Sequence, residues 1–436
     1  MSEGPLIEVT PHECWIASRP EAGESARPVR HPYDGTEIAT VWIPGTSQVE
    51  RAVSAAARTT RELRYLPPEL RAAAIERVAA GLTEQAEEAA ELVTAESGTP
   101  LRRAAAEVTR AVAALHAAAR QGPGRTVEPG TLSTGAAALV TRRPRGPVLL
   151  CTSAISPLYP IARDIAAAVA VGAPAIVLPP PHAPLCALLL GELVAGAGLP
   201  AGALSVLPLD EGATIRLVRD ERLVTISFTG SSTRGRAIAA AGAGRHIVLR
   251  PEHTAAVMIC ADWPDLALAA QRVAGDHAAR RILIDKTIFD RFLAELRDAV
   301  AALCVGEPHD PEVDSSTPVT IRVDGSGTER EGTGRTIVTS AVADLDTAIA
   351  EANRVAPDAA VGVFTHDVHS ALRTAAELLA RRVVIGDVPG DTAPAEDVAA
   401  MTTEYTDRHL TAFAPPTDMG KSPLFPRTAR TVRCQG

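Results

Sequence analysis

Aromatic side chains are scarce in this chain: Phe, Trp and Tyr together make up 3% of it, while apolar residues reach 46%. The interior must therefore rest on Ala, Val, Leu and Ile. Paired cysteines are missing. The six are Cys14, Cys151, Cys186, Cys260, Cys304 and Cys434, and no two stand close enough for a CxxC motif. That argues against a zinc or dithiol redox motif, and scattered thiols in a long chain suit a reducing cytoplasm. The opening Met1-Ser2-Glu3-Gly4-Pro5 has no basic stretch leading into an apolar one, so no signal peptide is expected. No apolar run is long enough for a bilayer; the best, 165–178, is interrupted by Gly172 and Pro174. Excess positive charge is absent too. A net charge of −9 and a pI near 5.7 argue against nonspecific nucleic-acid binding, which needs a basic face. The expectation is a cytoplasmic protein with neither nucleic acid nor membrane as partner.

What is present is enough chain, 436 residues, for two or three domains. Helical spacing with a Thr-Ser start covers 47–62. Helices continue through 66–96, opened by Pro67-Pro68-Glu69 and closed by Gly98-Thr99-Pro100, and another covers 101–120. Gly122-Pro123-Gly124 breaks the pattern, and 125–143 alternates as a hairpin would. From 147 onward, short apolar strands (147–152, 174–178, 203–207, 223–228) alternate with helices (157–171, 182–197, 211–219, 232–243). Strands apolar on both faces between amphipathic helices indicate a parallel, doubly wound α/β sheet. A second α/β segment is expected from about 246 to 400. The tail 414–436, rich in Pro, Thr and Arg, reads as disordered.

Several short stretches occur in an informative order. They are His31-Pro32-Tyr33-Asp34-Gly35 with Glu37-Ile38-Ala39, and Glu96-Ser97-Gly98-Thr99-Pro100-Leu101. Phe228-Thr229-Gly230-Ser231 follows, then Val305-Gly306-Glu307-Pro308 with Asp310-Pro311, and Val361-Gly362-Val363-Phe364-Thr365-His366-Asp367. In that order they resemble the aldehyde dehydrogenase superfamily. The resemblance implies a Rossmann-type dinucleotide-binding domain (1–122 and 146–248) and an α/β catalytic domain (249–402). It also implies an oligomerisation hairpin, with 123–145 pairing to 403–413 of a neighbour in a homodimer or homotetramer.

The departures from the family pattern are as pointed as the matches. The family's nucleophilic cysteine lies in a Gly-Gln-x-Cys segment. The matching stretch here is Gly275-Asp276-His277-Ala278, with Ala278 at the cysteine position and no cysteine between Cys260 and Cys304. Without a thiolate no thiohemiacetal forms. The family's Pro-Trp-Asn-Phe-Pro appears as Ser153-Ala154-Ile155-Ser156-Pro157, so Ile155 replaces an oxyanion donor whose loss typically costs ~10²–10³ in rate. Pro179-Pro180-Pro181-His182 replaces the ribose-binding Lys-Pro-x-Glu. Arg250-Pro251-Glu252-His253 replaces the general-base loop, and a guanidinium is no base near neutral pH. The stretch after Asp310 is short, and the family's Glu-x-Phe-Gly-Pro survives at best as Glu331-Gly332-Thr333-Gly334-Arg335.

Gly230 and Ser231, at the start of helix 232–243 with Arg234 and Arg236 nearby, can receive a pyrophosphate or another anion. Phe228 and His182 would flank a nucleotide if one binds. The plainer reading is a serine-capped turn with nothing bound. The former active site gains Arg250, Glu252, His253, Asp276 and His277, with Arg163 on the helix after Pro157. Such a set could run proton transfer on a small anionic ligand, His277 or His253 as base and Arg163 or Arg250 as the bidentate anion clamp. Cys151 reads as a buried small hydrophobe and Cys304 as helix-end packing. His366 and His369, with no carboxylate partner, make a poor metal site, so no metal is expected. The functional expectations, in order, are a pseudoenzyme or partner protein that has lost aldehyde oxidation, a repurposed non-redox lyase, dehydratase, isomerase or cyclase, and a divergent NAD(P)-dependent aldehyde dehydrogenase. The cofactor stays open between none and NAD(P).

Overall fold

Short strands that are apolar on both faces need cover on both faces, and that requirement organises the molecule. The computed structural model describes residues 11–121, 128–131, 137–251, 255–323, 335–355, 359–390 and 394–412. The chain opens with strands β1 (Cys14–Ile16), β2 (Arg19–Glu21), β3 (Ser25–Arg30) and β4 (Glu37–Ile43). Helices α1 (Thr46–Tyr65), α2 (Pro68–Glu84), α3 (Ala86–Ser97) and α4 (Leu101–Arg120) follow, then the hairpin β5 (Glu128–Thr131) and β6 (Ala137–Pro144). The alternating segment contains β7 (Val148–Cys151), α5 (Tyr159–Val171), β8 (Ala175–Leu178), α6 (Leu185–Ala195) and β9 (Leu204–Val206). It continues with α7 (Glu211–Val218), β10 (Thr225–Gly230), α8 (Ser232–Ala241) and β11 (His246–Pro251).

A second unit contains β12 (Ala255–Ile259), α9 (Leu266–Gly275), β13 (Ala279–Asp285), α10 (Phe289–Ala301), β14 (Val319–Val323) and β15 (Arg335–Val342). It ends with α11 (Leu345–Val355), β16 (Ala360–Phe364), α12 (Val368–Glu377) and β17 (Arg382–Ile385). Then α13 (Pro394–Glu404) and β18 (Thr406–Ala412) return to the first unit.

The first sheet has the order β11-β10-β7-β8-β9-β1-β2, parallel through its alternating part. Antiparallel β1 and β2 extend one edge. The chain runs from β7 outward to β9, then crosses to β10 on the other side of β7. The C-terminal ends of β7 and β10 therefore frame a topological switch point, where open α/β sheets form a crevice. The second sheet, β14-β15-β13-β12-β16-β17, is parallel throughout. This mixed α/β architecture, a Rossmann-like sheet plus a second α/β unit, agrees with the fold expected. Among the described residues no helix is long and apolar enough to cross a membrane.

The core follows the composition. Helix α5 is buried along its whole length, packed among α4, α2, α13 and the sheet, with Ala at five of its positions. Small side chains let neighbouring backbones approach closely. Gly172 ends α5 at φ 81°, where a Cβ would meet the Leu63 carbonyl oxygen at 2.9 Å.

The segment before residue 46, for which no elements are read from the sequence, forms four strands: β1 and β2 extend the first sheet, and β3 and β4 form a separate two-stranded ribbon. One feature differs from expectation. Strand β6 pairs with β18 of the same chain, from Thr406↔Pro144 to Ala412↔Ala138, not with a neighbour's. Helix α13 makes this possible by packing on α4 and α5, which returns the chain beside β6. Arg145 then holds the junction, donating from its backbone to Tyr405 O (3.1 Å) and from Nε to Glu404 O (3.0 Å). The tail 414–436 lies outside the described residues.

Gly172→Ala should destabilise the protein by more than about 1 kcal/mol, since it combines a left-handed backbone with a backbone clash. Denaturant unfolding with an unchanged midpoint would show that α5 can shift away from Leu63.

Candidate active site

The switch point is lined by three loops. Residues 152–157 follow β7, 179–184 follow β8, and Gly230-Ser231 join β10 to α8. In the last of these, Ser231 caps the helix, its hydroxyl accepting from Arg234 N at 3.4 Å. Gly230 cannot carry a side chain without a clash, because a Cβ there would lie 2.7 Å from the Phe228 ring. The start of α8 thus presents open amides at the positive end of a helix dipole. Arg234 stands beside it, 3.0 Å from Glu211, and its Nε is buried without a hydrogen-bond partner among the described residues. Phe228 is 1% exposed and belongs to the core under this turn rather than to the crevice wall. His182 precedes α6 and is exposed at the rim. Desolvation, and then the Arg234 charge, hold its pKa below the ordinary value.

Beneath the crevice lies a buried charged group. Arg163 Nε donates to Asp164 at 2.6 Å, and its guanidinium reaches Thr229 Oγ1 at 3.5 Å and Asp397 at 4.0 Å. Arg250, at the end of β11, lies 3.8 Å from the other oxygen of Asp397, and its Nε is buried and unpartnered among the described residues. Tyr159 donates its hydroxyl to Asp397 at 2.5 Å, and Ser227 donates to Asp164 at 3.2 Å. Burial disfavours the Arg163 charge, but Asp164 and then Asp397 outweigh it, so its pKa is raised. Among the described residues Arg250 has no comparable partner; burial first, and then the like charge of Arg163, lower its pKa. The arrangement is two guanidinium groups sharing one aspartate, with one donor left open.

The loop joining α9 to β13 is held separately. Arg335 is buried and caps the C-terminus of α9, donating to Ala274 O (2.5 Å), Val273 O (2.8 Å) and Asp276 O. Asp276 turns its carboxylate inward to Ala278 N (2.8 Å) and Gly390 N (3.4 Å). His277 is half-buried on the same loop. Of the residues expected to converge, Arg163 and Arg250 do so. Among the described residues no hydrogen bond or ion pair joins Asp276 or His277 to them, and Glu252 and His253 lie outside the described residues. Ile155 is exposed on the 152–157 loop, its amide donating to Ser153 Oγ at 3.2 Å.

The thiols are placed plainly. Cys151 is 1% exposed at the end of β7, and burial pushes its pKa up to about 12 despite nearby Arg234. Cys260, at the C-terminal end of β12, is pushed up to about 11 by burial. Cys304 is exposed, not packed against a helix end; its backbone amide donates to Asp314 at 3.1 Å and fixes the segment instead.

A family model described as the aldehyde dehydrogenase family matches residues 18–322. The chain belongs to the aldehyde dehydrogenase family. It is 28% identical over 293 residues to the succinate semialdehyde dehydrogenase [NAD(P)+] Sad of Escherichia coli strain K12, covering 65% of this chain and 63% of that protein. It is 32% identical over 301 residues to a non-phosphorylating aspartate-semialdehyde dehydrogenase of Halomonas elongata, covering 65% of this chain and 60% of the relative. The match thus spans less than two thirds of these relatives' lengths. Aldehyde dehydrogenase 21 of Physcomitrella patens, solved with the reaction product succinate, shares the fold at TM-score 0.84 and 23% identity, covering 94% of this chain and all of that one.

These relatives correct the functional expectation. Family members of this similarity are named as working aldehyde dehydrogenases, and no finding shows that aldehyde oxidation has been lost. Neither a pseudoenzyme nor a non-redox enzyme follows. The physical reason is that an absent thiol rules out one covalent route, the thiohemiacetal, without ruling out hydride loss from an aldehyde hydrate.

Missed altogether from sequence were Asp164, Asp397 and Tyr159, which complete the buried group, and Arg335. An adjacent Arg-Asp pair inside an otherwise apolar helix was the available signal for Asp164. Asp164→Asn should cost about 3–5 kcal/mol, because it leaves a buried guanidinium undercompensated. Chemical unfolding should show this; a loss under about 1 kcal/mol would mean that Asp397 alone balances Arg163.

Proposed function

We propose that this protein is a nicotinamide-nucleotide-dependent dehydrogenase of a short aldehyde bearing a second, anionic group. The observation that carries the reading is the Arg163–Asp397–Arg250 arrangement at the ends of β10 and β11, with the buried Nε of Arg250 unpartnered among the described residues. A carboxylate is the natural acceptor for such a donor. Relatives named for succinate semialdehyde and aspartate semialdehyde, both acidic aldehydes, favour the same class.

The nucleotide fits the crevice on two grounds. The Gly230-Ser231 turn brings the positive end of the α8 dipole to the crevice, and Arg234 adds charge beside it. These residues would hold the pyrophosphate, with His182 at the ribose end. When bound, the nicotinamide supplies a hydride acceptor.

In this reading the four altered family positions, Ala278, Arg250, Ile155 and Pro179, define a variant route. The substrate enters as its hydrate, which needs no thiolate and no oxyanion hole for a covalent adduct. Arg250 and Arg163 orient it through its anionic end.

The test is direct. The purified chain is mixed with NAD⁺ or NADP⁺ and with succinate semialdehyde, aspartate semialdehyde or butanal, and reduced nicotinamide is followed by absorbance. Turnover of the acidic aldehydes over butanal is expected. Arg250→Gln should raise KM for the acidic substrates by roughly 10- to 100-fold, the worth of a charged hydrogen bond, and leave butanal unaffected. No reduced nicotinamide from any pair, or a preference for butanal, would overturn the proposal.

A further inference from the structure

Two of the crevice loops end in helices whose first amides point into protein rather than water. Each helix start is received by one buried carboxylate from outside the sheet. Glu96, near the end of α3, accepts from Leu185 N at 2.6 Å and Cys186 N at 2.9 Å, the first residues of α6. Glu107, on α4, accepts from Leu158 N and Tyr159 N at 2.9 Å each, where α5 begins. Glu96 is 2% exposed and Glu107 6%.

Among the described residues the loops themselves make few other hydrogen bonds. In 179–184 the residues Pro179, Pro180, Pro181 and Pro184 carry no amide hydrogen, which leaves His182 and Ala183 as donors. Ala183 N bonds within the loop, to Pro180 O at 3.0 Å. In 152–157, Thr152 N reaches Leu178 O at 3.3 Å, and Ile155 N turns back on Ser153. Beyond the packing of their buried prolines, hydrogen bonding therefore holds each loop largely where it enters its helix.

We propose that Glu96 and Glu107 are positioning residues of the crevice: Glu107 sets the 152–157 loop through the first turn of α5, and Glu96 sets the 179–184 loop through the first turn of α6. What the crevice holds rests on the dehydrogenase reading above; the positioning does not. Charge matters as well as shape, because an ionised carboxylate accepts two amide bonds more strongly than a neutral one. Burial pushes the Glu96 pKa up to about 7. The Cys186 thiol and amide and the Leu185 amide pull it down, and the Glu107 charge pushes it up again. Burial thus outweighs the amide bonds, so the closed state binds the proton more tightly than an opened one, and the 179–184 loop should hold more firmly as pH falls through neutrality.

The experiment compares wild type, Glu96→Gln and Glu107→Gln by amide hydrogen exchange, corrected for intrinsic rates, and by calorimetric titration with NAD⁺. Both run across about pH 6 to about pH 8. His182 titrates on the same loop, so the series is repeated in a His182→Asn background. Expected for Glu96→Gln is roughly tenfold less protection at 179–186 and a Kd for NAD⁺ weaker by a similar factor, both independent of pH. Wild-type protection at 179–186 should instead rise toward the acid end. Glu107→Gln should loosen 152–159 and leave 179–186 unchanged. Should either variant fail to fold, Glu96→Asp and Glu107→Asp keep the charge but shorten the reach, and are read in the same way. A lowered melting temperature with unchanged loop protection would overturn the proposal and leave both residues as plain helix caps. If wild type binds no nucleotide, the dehydrogenase reading fails, and the exchange data still decide the positioning.

Discussion

A helix buried on every side must have its end groups and its charges satisfied by the rest of the protein, and most of this molecule's polar architecture answers that demand. Helix α5 is the extreme case. Every residue from Tyr159 to Val171 is buried, including an arginine and an aspartate. Water cannot complete its first turn, so Glu107 does. Water cannot solvate Arg163, so Asp164, Asp397 and Thr229 surround it. The same solution recurs at α6 with Glu96 and, with reversed sign, at the C-terminus of α9 with Arg335. An unmet donor or charge in such places would cost on the order of several kcal/mol. These carboxylates and guanidiniums are therefore structural necessities first.

That necessity also shapes the crevice. A doubly wound sheet places the starts of α5, α6 and α8 at one edge, around the switch point between β7 and β10. Two of those helix starts are closed from behind by buried carboxylates. The third, at α8, is capped by its own serine, with no buried carboxylate on it among the described residues. The distinction decides where an anion can sit. A helix start already facing a carboxylate repels a phosphate, and one without it attracts one. The asymmetry follows from which helices are walled in by α3 and α4, and needs no special residue at α8 beyond glycine and serine.

Much of the fold was legible in the sequence because apolar periodicity and turn residues are local. Alternating strands and helices from 147 to 243 lie within a few residues of the observed ones, and 101–120 coincides with α4. What was not legible is non-local. Glu96 and Glu107 sit in helices with many acidic and alanine residues, where a glutamate ordinarily faces water; only the packing of α3 and α4 on the helix starts shows otherwise. Strand β6 looked like a partner for another subunit because no local feature announces that α13 will bring β18 back beside it. Arg163 looked like a pocket residue, and its neighbour Asp164 went unread, although a lone charge inside an all-apolar helix implies a counter-charge. The site was legible in part: Gly230, Ser231 and Arg234 are where a helix start and a basic residue suggested, and Phe228 proved to be floor rather than wall.

The error about activity has a different origin. It came from treating a family's covalent route as the only chemistry its fold supports. Removing a thiol removes an intermediate; under the dehydrogenase reading proposed above, the rate would depend on how well the remaining groups hold an aldehyde hydrate near a hydride acceptor. Orientation of bound reactants supplies a large share of such rates. Here the orienting groups are rigid for reasons unrelated to catalysis. Arg163 is fixed because a buried cation must be paired, Asp397 because it serves Arg163, Arg250 and Tyr159 together, and the loops because their helices must be capped. Within this framework the buried Nε of Arg250 has no acceptor among the described residues. A buried polar framework built for stability is therefore a sound starting point for specificity toward charged aldehydes.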